Sequence, residues 1–81
     1  MEIKILGMGC PKCRRLEVFA KEAAEDVGVE ATFIKVETMD EIMSYDVMST
    51  PALVIDEEVK ASGRVARKEE IAEWIQTAAK Q

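Results

Sequence analysis

Histidine is absent from this 81-residue sequence, and cysteine occurs only twice. A zinc site needs about four ligands, so zinc could be held here only with the help of carboxylates or a second subunit. Aromatic residues are scarce, at 5%, they do not cluster with basic residues, and the net charge is −5. Nucleic acid is therefore not an expected partner.

Long apolar runs are also missing, because charged residues interrupt every segment before it reaches the ~18 to 20 apolar residues of a membrane span. Residues 1–6 contain Glu2 and Lys4 and lack the basic start, apolar stretch and cleavage site of a secretion signal. We therefore expect no membrane association and a cytoplasmic location. In that reducing compartment two close cysteines are more often catalytic or metal-binding than a permanent disulfide.

The composition that remains is typical of a folded domain, with 48% hydrophobic and 33% charged residues. A chain of this length has room for one modest core. We therefore predict a single domain over residues 1–81, and we take it to act as a monomer.

Hydrophobic periodicity predicts an α/β protein with seven elements in the order βαβαββα. Strands are predicted at residues 1–6, 31–36, 52–55 and 59–62, and helices from residue 11 to about 27, at 39–46 and at 68–79. Gly28 is placed to end the first helix, and Thr38 with Glu41 has the pattern of a capping box. The second strand has apolar residues on both faces and is expected to be central. A parallel return through a helix, followed by a hairpin, predicts a four-stranded mixed sheet with helices on both faces.

The two cysteines, Cys10 and Cys13, stand three positions apart at the start of the first predicted helix. Free amide groups at a helix start favour the thiolate form of a nearby cysteine, so Cys10 at the N-cap is predicted to be the nucleophile. Cys13, one turn later, would face inward and release the product by attacking the mixed disulfide. The alternative without exchange chemistry is a pair of inert thiols or a local disulfide staple.

Positive charge is concentrated around these cysteines. The first 21 residues carry five basic and two acidic groups, whereas the rest of the chain carries six basic and fourteen acidic groups. Lys12 and Arg14 fall in the first helical turn, where cations cost some helix stability but lower the pKa of a neighbouring thiol. They are therefore predicted to tune the pKa of Cys10, with Pro11 at the first helical position.

Metal binding is the second hypothesis for this stretch. The segment Met8-Gly9-Cys10-Pro11-Lys12-Cys13 fits the Met-x-Cys-x-x-Cys pattern of copper chaperone domains, and soft thiolate ligands select copper(I). Those domains run βαββαβ and finish on a strand, whereas the elements predicted here finish on a helix. The element order therefore favours exchange chemistry, and no metal-binding residue is assigned.

Together with the segment Ser49-Thr50-Pro51-Ala52-Leu53-Val54-Ile55, the Cys-Pro-Lys-Cys motif resembles the thioredoxin fold. The resemblance covers nearly the whole chain and is closest to the small thioredoxin-like group often called redox-active disulfide proteins. It implies a thiol-disulfide oxidoreductase that reduces or exchanges protein disulfides and needs no cofactor beyond a Cys10–Cys13 disulfide. It also implies a flavin-dependent, thioredoxin reductase-like protein as the electron donor.

The resemblance further implies residues for substrate binding. Pro51 corresponds to a cis-proline that lies against the disulfide, and the backbone of Thr50 would pair with an extended substrate segment. Met8 and Gly9, beside the cysteines, are assigned to the same substrate contact.

Outside these motifs, the seven acidic residues between positions 37 and 58, with no basic residue among them, predict a solvated face or else a partner-docking surface. Tyr45 and Trp74 are interpreted as packing residues. Arg64 is interpreted as a solvated loop cation.

Overall fold

The order of elements in the computed structural model, which describes residues 1–7, 11–47 and 49–79, is the predicted βαβαββα. The elements are β1 (Glu2–Leu6), α1 (Pro11–Asp26), β2 (Thr32–Val36), α2 (Met39–Met43), β3 (Ala52–Ile55), β4 (Glu58–Ser62) and α3 (Lys68–Ala79). The predicted α/β class is confirmed. None of the helices within the described ranges is long and apolar enough to cross a membrane.

The four strands form one mixed sheet in the order β2-β1-β3-β4. Strands β1 and β2 are parallel, whereas β1 with β3 and β3 with β4 are antiparallel. The prediction that the second strand is central was wrong, because β2 lies at an edge. Its apolar residues report that both faces of the sheet are covered: Phe33 packs on one side and Ile34 on the other.

One face of the sheet is covered by α1 and α3. Because side chains alternate along a strand, Ile3 and Ile5 of β1 point to this face, together with Leu53 and Ile55 of β3. The helices contribute Leu16, Ala20, Ala23, Ala24, Ile71 and Ile75 to the same core. Trp74 packs at its margin, half-buried, which agrees with its interpretation as a packing residue.

The opposite face carries the smaller core around α2, built from Leu6, Val36, Ile42, Val47, Ala52 and Val54. Tyr45 packs against this core and is half-buried. Its hydroxyl accepts a hydrogen bond of 2.6 Å from Nζ of Lys4, which also bonds the carboxylate of Glu57. These bonds, first to Glu57 and then to Tyr45, raise the pKa of Lys4 above its ordinary value. The central strand β1 is thus linked to the segment after α2 and to the β3–β4 turn.

Two helix ends show which predicted caps form. Gly28 has a φ of 70°, and the amide of Val29 donates to the carbonyl of Ala24 at 3.0 Å, which is a Schellman ending of α1. The predicted left-handed cap is therefore confirmed. Thr38 does stand at the N-cap of α2, but its side chain makes no capping hydrogen bond, so the predicted capping box is not formed.

The start of α3 is held by a carboxylate that the sequence analysis did not single out. Glu70 accepts a hydrogen bond of 3.2 Å from the backbone amide of Arg67. The guanidinium of Arg64 donates two more, of 3.0 and 2.9 Å, to its two oxygens. Bonding by Arg64 and then by Arg67 lowers the pKa of Glu70. Arg64 is thus an exposed loop cation, as predicted, and it is in addition paired with Glu70.

The seven acidic residues between positions 37 and 58 are all exposed, as expected for a solvated face. Two of them, in the β3–β4 turn, also contact strand β1. Asp56 accepts a hydrogen bond of 2.9 Å from the backbone amide of Glu2, and Glu57 bonds Lys4.

Candidate active site

The first turn of α1 has one buried side chain among exposed ones. Cys13 is 5% exposed, whereas Pro11, Lys12 and Arg14 are exposed. Cys13 starts the buried stripe that continues with Leu16 and Ala20, so the amphipathic pattern of α1 turns this cysteine toward the sheet. The cations remain on the solvent side of the turn.

The predictions for Met8, Gly9 and Cys10 lie outside the described residues. Residue 48 lies outside them as well. The first described residue after this stretch is Pro11, which is also the first residue of α1.

The sulfur of Cys13 packs against Gly7, in the space where a side chain at position 7 would lie. A Cβ atom built on Gly7 would lie 2.1 Å from Sγ of Cys13 and 3.2 Å from its Cβ. The first distance is too short for any side chain unless the sulfur moves, and the second is a tight contact. The backbone of Gly7 is itself fixed, since its amide donates a hydrogen bond of 2.9 Å to the carbonyl of Val36. The cysteine sulfur thus packs directly on bare backbone at the carboxyl end of β1.

The Thr50-Pro51 segment reaches the same place from another part of the chain. Strand β3 runs antiparallel to β1 with Ala52 opposite Leu6. The residues before β3 and those after β1 therefore emerge at the same end of these two inner strands. The same Cβ position at Gly7 would lie 4.0 Å from Cβ of Thr50. The two motifs of the sequence therefore come together around Gly7.

Pro51 and Thr50 differ in their exposure at this end of the strands. The peptide bond between them is cis. The ring of Pro51 is fully buried, whereas Thr50 is exposed. The carbonyl of Pro51 accepts a hydrogen bond of 2.9 Å from the amide of Gly63, which ties this segment to the end of β4.

A pocket of about 160 Å³ opens beside Cys13, between α1 and the β2 edge of the sheet. It is lined by Ile5, Gly7, Cys13, Arg14, Glu17, Lys35 and Glu37. Of its two carboxylates, Glu37 is exposed, while the side chain of Glu17 is only 15% exposed. Glu17 lies 3.5 Å from Nζ of Lys35 and 3.6 Å from Nζ of Lys21.

The described ranges contain no group of three or more histidine, cysteine, aspartate or glutamate side chains that could hold a metal ion. The copper(I) hypothesis depends on Cys10, which is outside those ranges, and it stays an alternative prediction. Among the described residues, the arrangement around Cys13 contains one thiol, two nearby carboxylates and several cations. That combination suits proton and thiol chemistry.

Sequence reasoning missed two features of this site. Gly7 looked like an ordinary break after a strand, because its contact with Cys13 depends on how α1 packs on the sheet. Glu17 was noticeable in principle, since it follows Cys13 by four residues and so lies on the same helix face. The approach of Lys35 and Glu37 could not be read from the sequence, because it depends on the register between β1 and β2.

Comparison with known proteins gives a consistent picture. A family model for the thioredoxin domain matches residues 1–76. The chain is 45% identical over 71 residues to a thioredoxin of Methanothermobacter thermautotrophicus, an alignment that covers 88% of this chain and 92% of that protein. It is 35% identical over 75 residues to a thioredoxin of Methanocaldococcus jannaschii, covering 93% of this chain and 86% of the other. The matched span includes both motif segments.

Proposed function

This chain belongs to the thioredoxin family, and we propose that it is a thiol-disulfide oxidoreductase whose redox pair is Cys10 and Cys13. The observation that supports the proposal most directly is the meeting of Cys13 and Thr50 around Gly7. Two sequence motifs that lie far apart in the chain thereby come together at one end of the sheet, where a buried thiol lies beside an exposed segment.

In the proposed reaction, the thiolate of Cys10 attacks one sulfur of a substrate disulfide, and the other substrate sulfur leaves as a thiolate. The mixed disulfide that results is then attacked by Cys13 at the sulfur of Cys10, which releases the second substrate thiol. Two electrons pass from the cysteine pair to the substrate. The protein is left with a Cys10–Cys13 disulfide and needs no further cofactor for this step.

The first turn of α1 would favour the thiolate of Cys10. The helix is 16 residues long and carries no acidic residue in its first turn, while Lys12 and Arg14 are exposed there. A helix start and neighbouring cations both lower the pKa of a cysteine. Pro11 would fix the start of the helix so that its free amides face the sulfur.

The exposed backbone at Thr50 is the proposed contact for the substrate. An extended peptide can add to an exposed backbone edge through main-chain hydrogen bonds, and Thr50 stands next to Gly7 and Cys13. Pro51, buried behind it, would support this backbone. Met8 and Gly9 are proposed to contact the substrate from the cysteine side.

The proposed substrates are proteins with accessible disulfides, and the proposed electron donor is a flavin-dependent reductase of the thioredoxin reductase type. The protein would act as a monomer in the cytoplasm, where reducing systems can return Cys10 and Cys13 to thiols. Copper(I) transfer is the competing function. It is disfavoured because the observed order βαβαββα differs from the βαββαβ order of copper chaperone domains.

Serine substitutions at the two cysteines test the proposal. Cys10→Ser is expected to abolish reduction of insulin disulfides, because it removes the attacking sulfur. Cys13→Ser is expected to leave a covalent mixed disulfide between Cys10 and the substrate, since the sulfur that resolves it is gone. Turnover in the presence of dithiothreitol and intact-mass analysis of the trapped species give the two readouts.

The same preparations decide between the two functions. Unimpaired turnover in both serine variants would overturn the proposed mechanism. Copper(I) uptake by the reduced protein in competition with a chelator, without insulin reduction, would favour the metal-binding alternative.

A further inference from the structure

The pocket beside Cys13 is too small for an ordinary ligand. Sites for small molecules usually enclose roughly 300 to 1,000 Å³, whereas this pocket has about 160 Å³. A water molecule takes up roughly 30 Å³ in the liquid, so several water molecules fit. With both cations and carboxylates in its wall, the pocket offers such water enough polar partners.

The chemistry of Cys13 gives that water a use. A thiol attacks a disulfide only as its thiolate, and Cys13 is only 5% exposed, so bulk water has little access to its proton. The proton of Cys13 therefore has to leave as the sulfur attacks. A nearby group that takes the proton, directly or through one water, would satisfy this need.

Glu17 is the carboxylate best placed to do so. It follows Cys13 by one turn of α1, and i, i+4 residues lie side by side on a helix. Both residues line the pocket. The side chain of Glu17 is largely buried, and its ion pairs with Lys35 and Lys21 are 3.5 and 3.6 Å long. Those distances exceed hydrogen-bond length, so its oxygens keep capacity to accept a hydrogen bond from water.

We propose that Glu17 accepts the proton of Cys13, through water in this pocket, when Cys13 attacks the mixed disulfide. The inference rests on the proposed function, because it concerns the second step of that reaction. In this step the Cys13–Cys10 bond forms, the bond from Cys10 to the substrate breaks, and the substrate sulfur leaves with the electron pair. The proton moves from Cys13 to the carboxylate of Glu17.

The charged groups around Glu17 set the alternatives that a test must separate. On α1 they are Arg14 and Lys21, and on the facing edge of the sheet they are Lys35 and Glu37. If Glu17 acted only through its negative charge, it would hinder formation of the Cys13 thiolate. Its removal would then accelerate the second step. If Glu17 served only as an ion-pair partner, its removal would leave the rate of this step unchanged.

The aromatic disulfide dithiobis(nitrobenzoate) separates the two steps of the reaction. The reduced protein is mixed in slight excess over this reagent. One coloured thiolate is released when the first cysteine attacks, and a second is released when Cys13 resolves the mixed disulfide. Stopped-flow absorbance therefore records two phases. The Glu17→Gln variant keeps the shape of the side chain and removes its ability to take a proton.

In Glu17→Gln we expect the second phase to slow by about a hundredfold at neutral pH, the lower end of what general base catalysis contributes. The deficit should shrink as pH rises, since the thiolate fraction of an unassisted thiol grows about tenfold per pH unit below its pKa. The matched control is Glu25→Gln, which removes an exposed carboxylate of the same helix outside the pocket lining and should leave the second phase unchanged.

Three outcomes overturn the inference: a second phase that is faster in Glu17→Gln, one that is unchanged, or a deficit of equal size at every pH. A normal first phase with any of these leaves the exchange function intact. Loss of the first phase in the unmodified protein would instead contradict the proposed function. Thermal unfolding of both variants, followed by circular dichroism, checks that each is folded at the assay temperature.

Discussion

The function of Gly7 in this structure is to have no side chain, because the sulfur of Cys13 occupies the space that a side chain would fill. The requirement is a close approach of two chain segments and does not come from backbone conformation, since Gly7 is not among the residues with positive φ, in contrast to Gly28 and Gly63. The position of the buried thiol is therefore set by strand β1 as much as by helix α1.

A double-mutant cycle measures this contact. Gly7→Ala is expected to lower the free energy of unfolding by at least about 1 to 3 kcal/mol, the usual cost of overpacking. In a Cys13→Ala background the cost should fall clearly, because the atom 2.1 Å away is gone and only the 3.2 Å contact with Cβ remains. Urea unfolding of the four proteins gives the coupling energy.

Gly28→Ala is the control for this cycle, because nothing lies within 4 Å of a Cβ atom at that position. Its cost, roughly 1 to 2 kcal/mol for a left-handed residue, should be the same with or without the sulfur of Cys13. Additive effects of Gly7→Ala and Cys13→Ala would show that the two residues do not compete for space.

At the scale of elements, Lys4 joins three parts of the fold, which are its own strand β1, the segment after α2 and the β3–β4 turn. Its ammonium bonds Tyr45 after α2 and Glu57 in the β3–β4 turn. Asp56 and Glu57 both have positive φ, at 48° and 70°, as a two-residue hairpin turn requires. The turn therefore places the Glu57 carboxylate where Lys4 can reach it.

This link predicts a pH dependence of stability. The hydrogen bond from Lys4 lowers the pKa of Glu57 below its ordinary value, so the folded state holds the proton of Glu57 less tightly than the unfolded state. The stabilisation is complete above the ordinary carboxyl pKa of about 4.3 and is lost as pH falls through the lowered pKa of Glu57. We expect Glu57→Gln to melt at a lower temperature than the unmodified protein at pH 7, and the gap to narrow on acidification toward pH 3.

Glu58→Gln provides the comparison for this prediction, because Glu58 is the next residue, its side chain is 73% exposed and it pairs only with Lys60 on its own strand. Its melting temperature should follow that of the unmodified protein across the same pH range. Equal behaviour of the two variants would mean that the Lys4 link adds nothing to stability. Calorimetry or circular dichroism melts suffice.

The helices and strands were largely predictable from the sequence. Which elements and side chains lie next to one another in the fold was not. Alternation in β1 and the apolar stripe of α1 depend on local periodicity, which the sequence displays directly. The edge position of β2 and the partner of Arg64 depend on which segments lie side by side. Cys13 and Pro51 were predicted as site residues through two motifs, whereas Gly7 and Glu17 carry no motif and became candidates only from their contacts.

At the scale of the whole molecule, charge is divided between the cysteine end and the rest. The net charge is −5, although the first 21 residues carry an excess of basic groups. Lys12, Arg14 and Arg15 are exposed on the first turns of α1. Local fields of this kind alter the rate at which charged partners meet a site.

The division of charge predicts a preference among small disulfides. The first phase of reaction with the anionic dithiobis(nitrobenzoate) should slow as salt is added, whereas the same phase with the cationic disulfide cystamine should accelerate. The two effects should level off near 1 M salt, where the screening length is about 3 Å. Stopped-flow rates at several ionic strengths provide the measurement.

The matched variants for this prediction are Lys12→Gln with Arg14→Gln, which should flatten both salt dependences, and Lys60→Gln on β4, which should not. Identical salt dependences for the two disulfides would contradict a steering role for these cations.

The antiparallel pairing of Leu6 with Ala52 has a consequence for how the chain can vary. The cysteine segment follows β1 and the Thr50-Pro51 segment precedes β3, at the same end of these two paired strands. The separation of the two segments is therefore fixed by the spacing between strands, roughly 4.8 Å. The length of the connection that contains α2 does not enter that distance. Insertions or deletions around α2 would therefore reshape the acidic face while leaving Cys13 and Thr50 at the same separation.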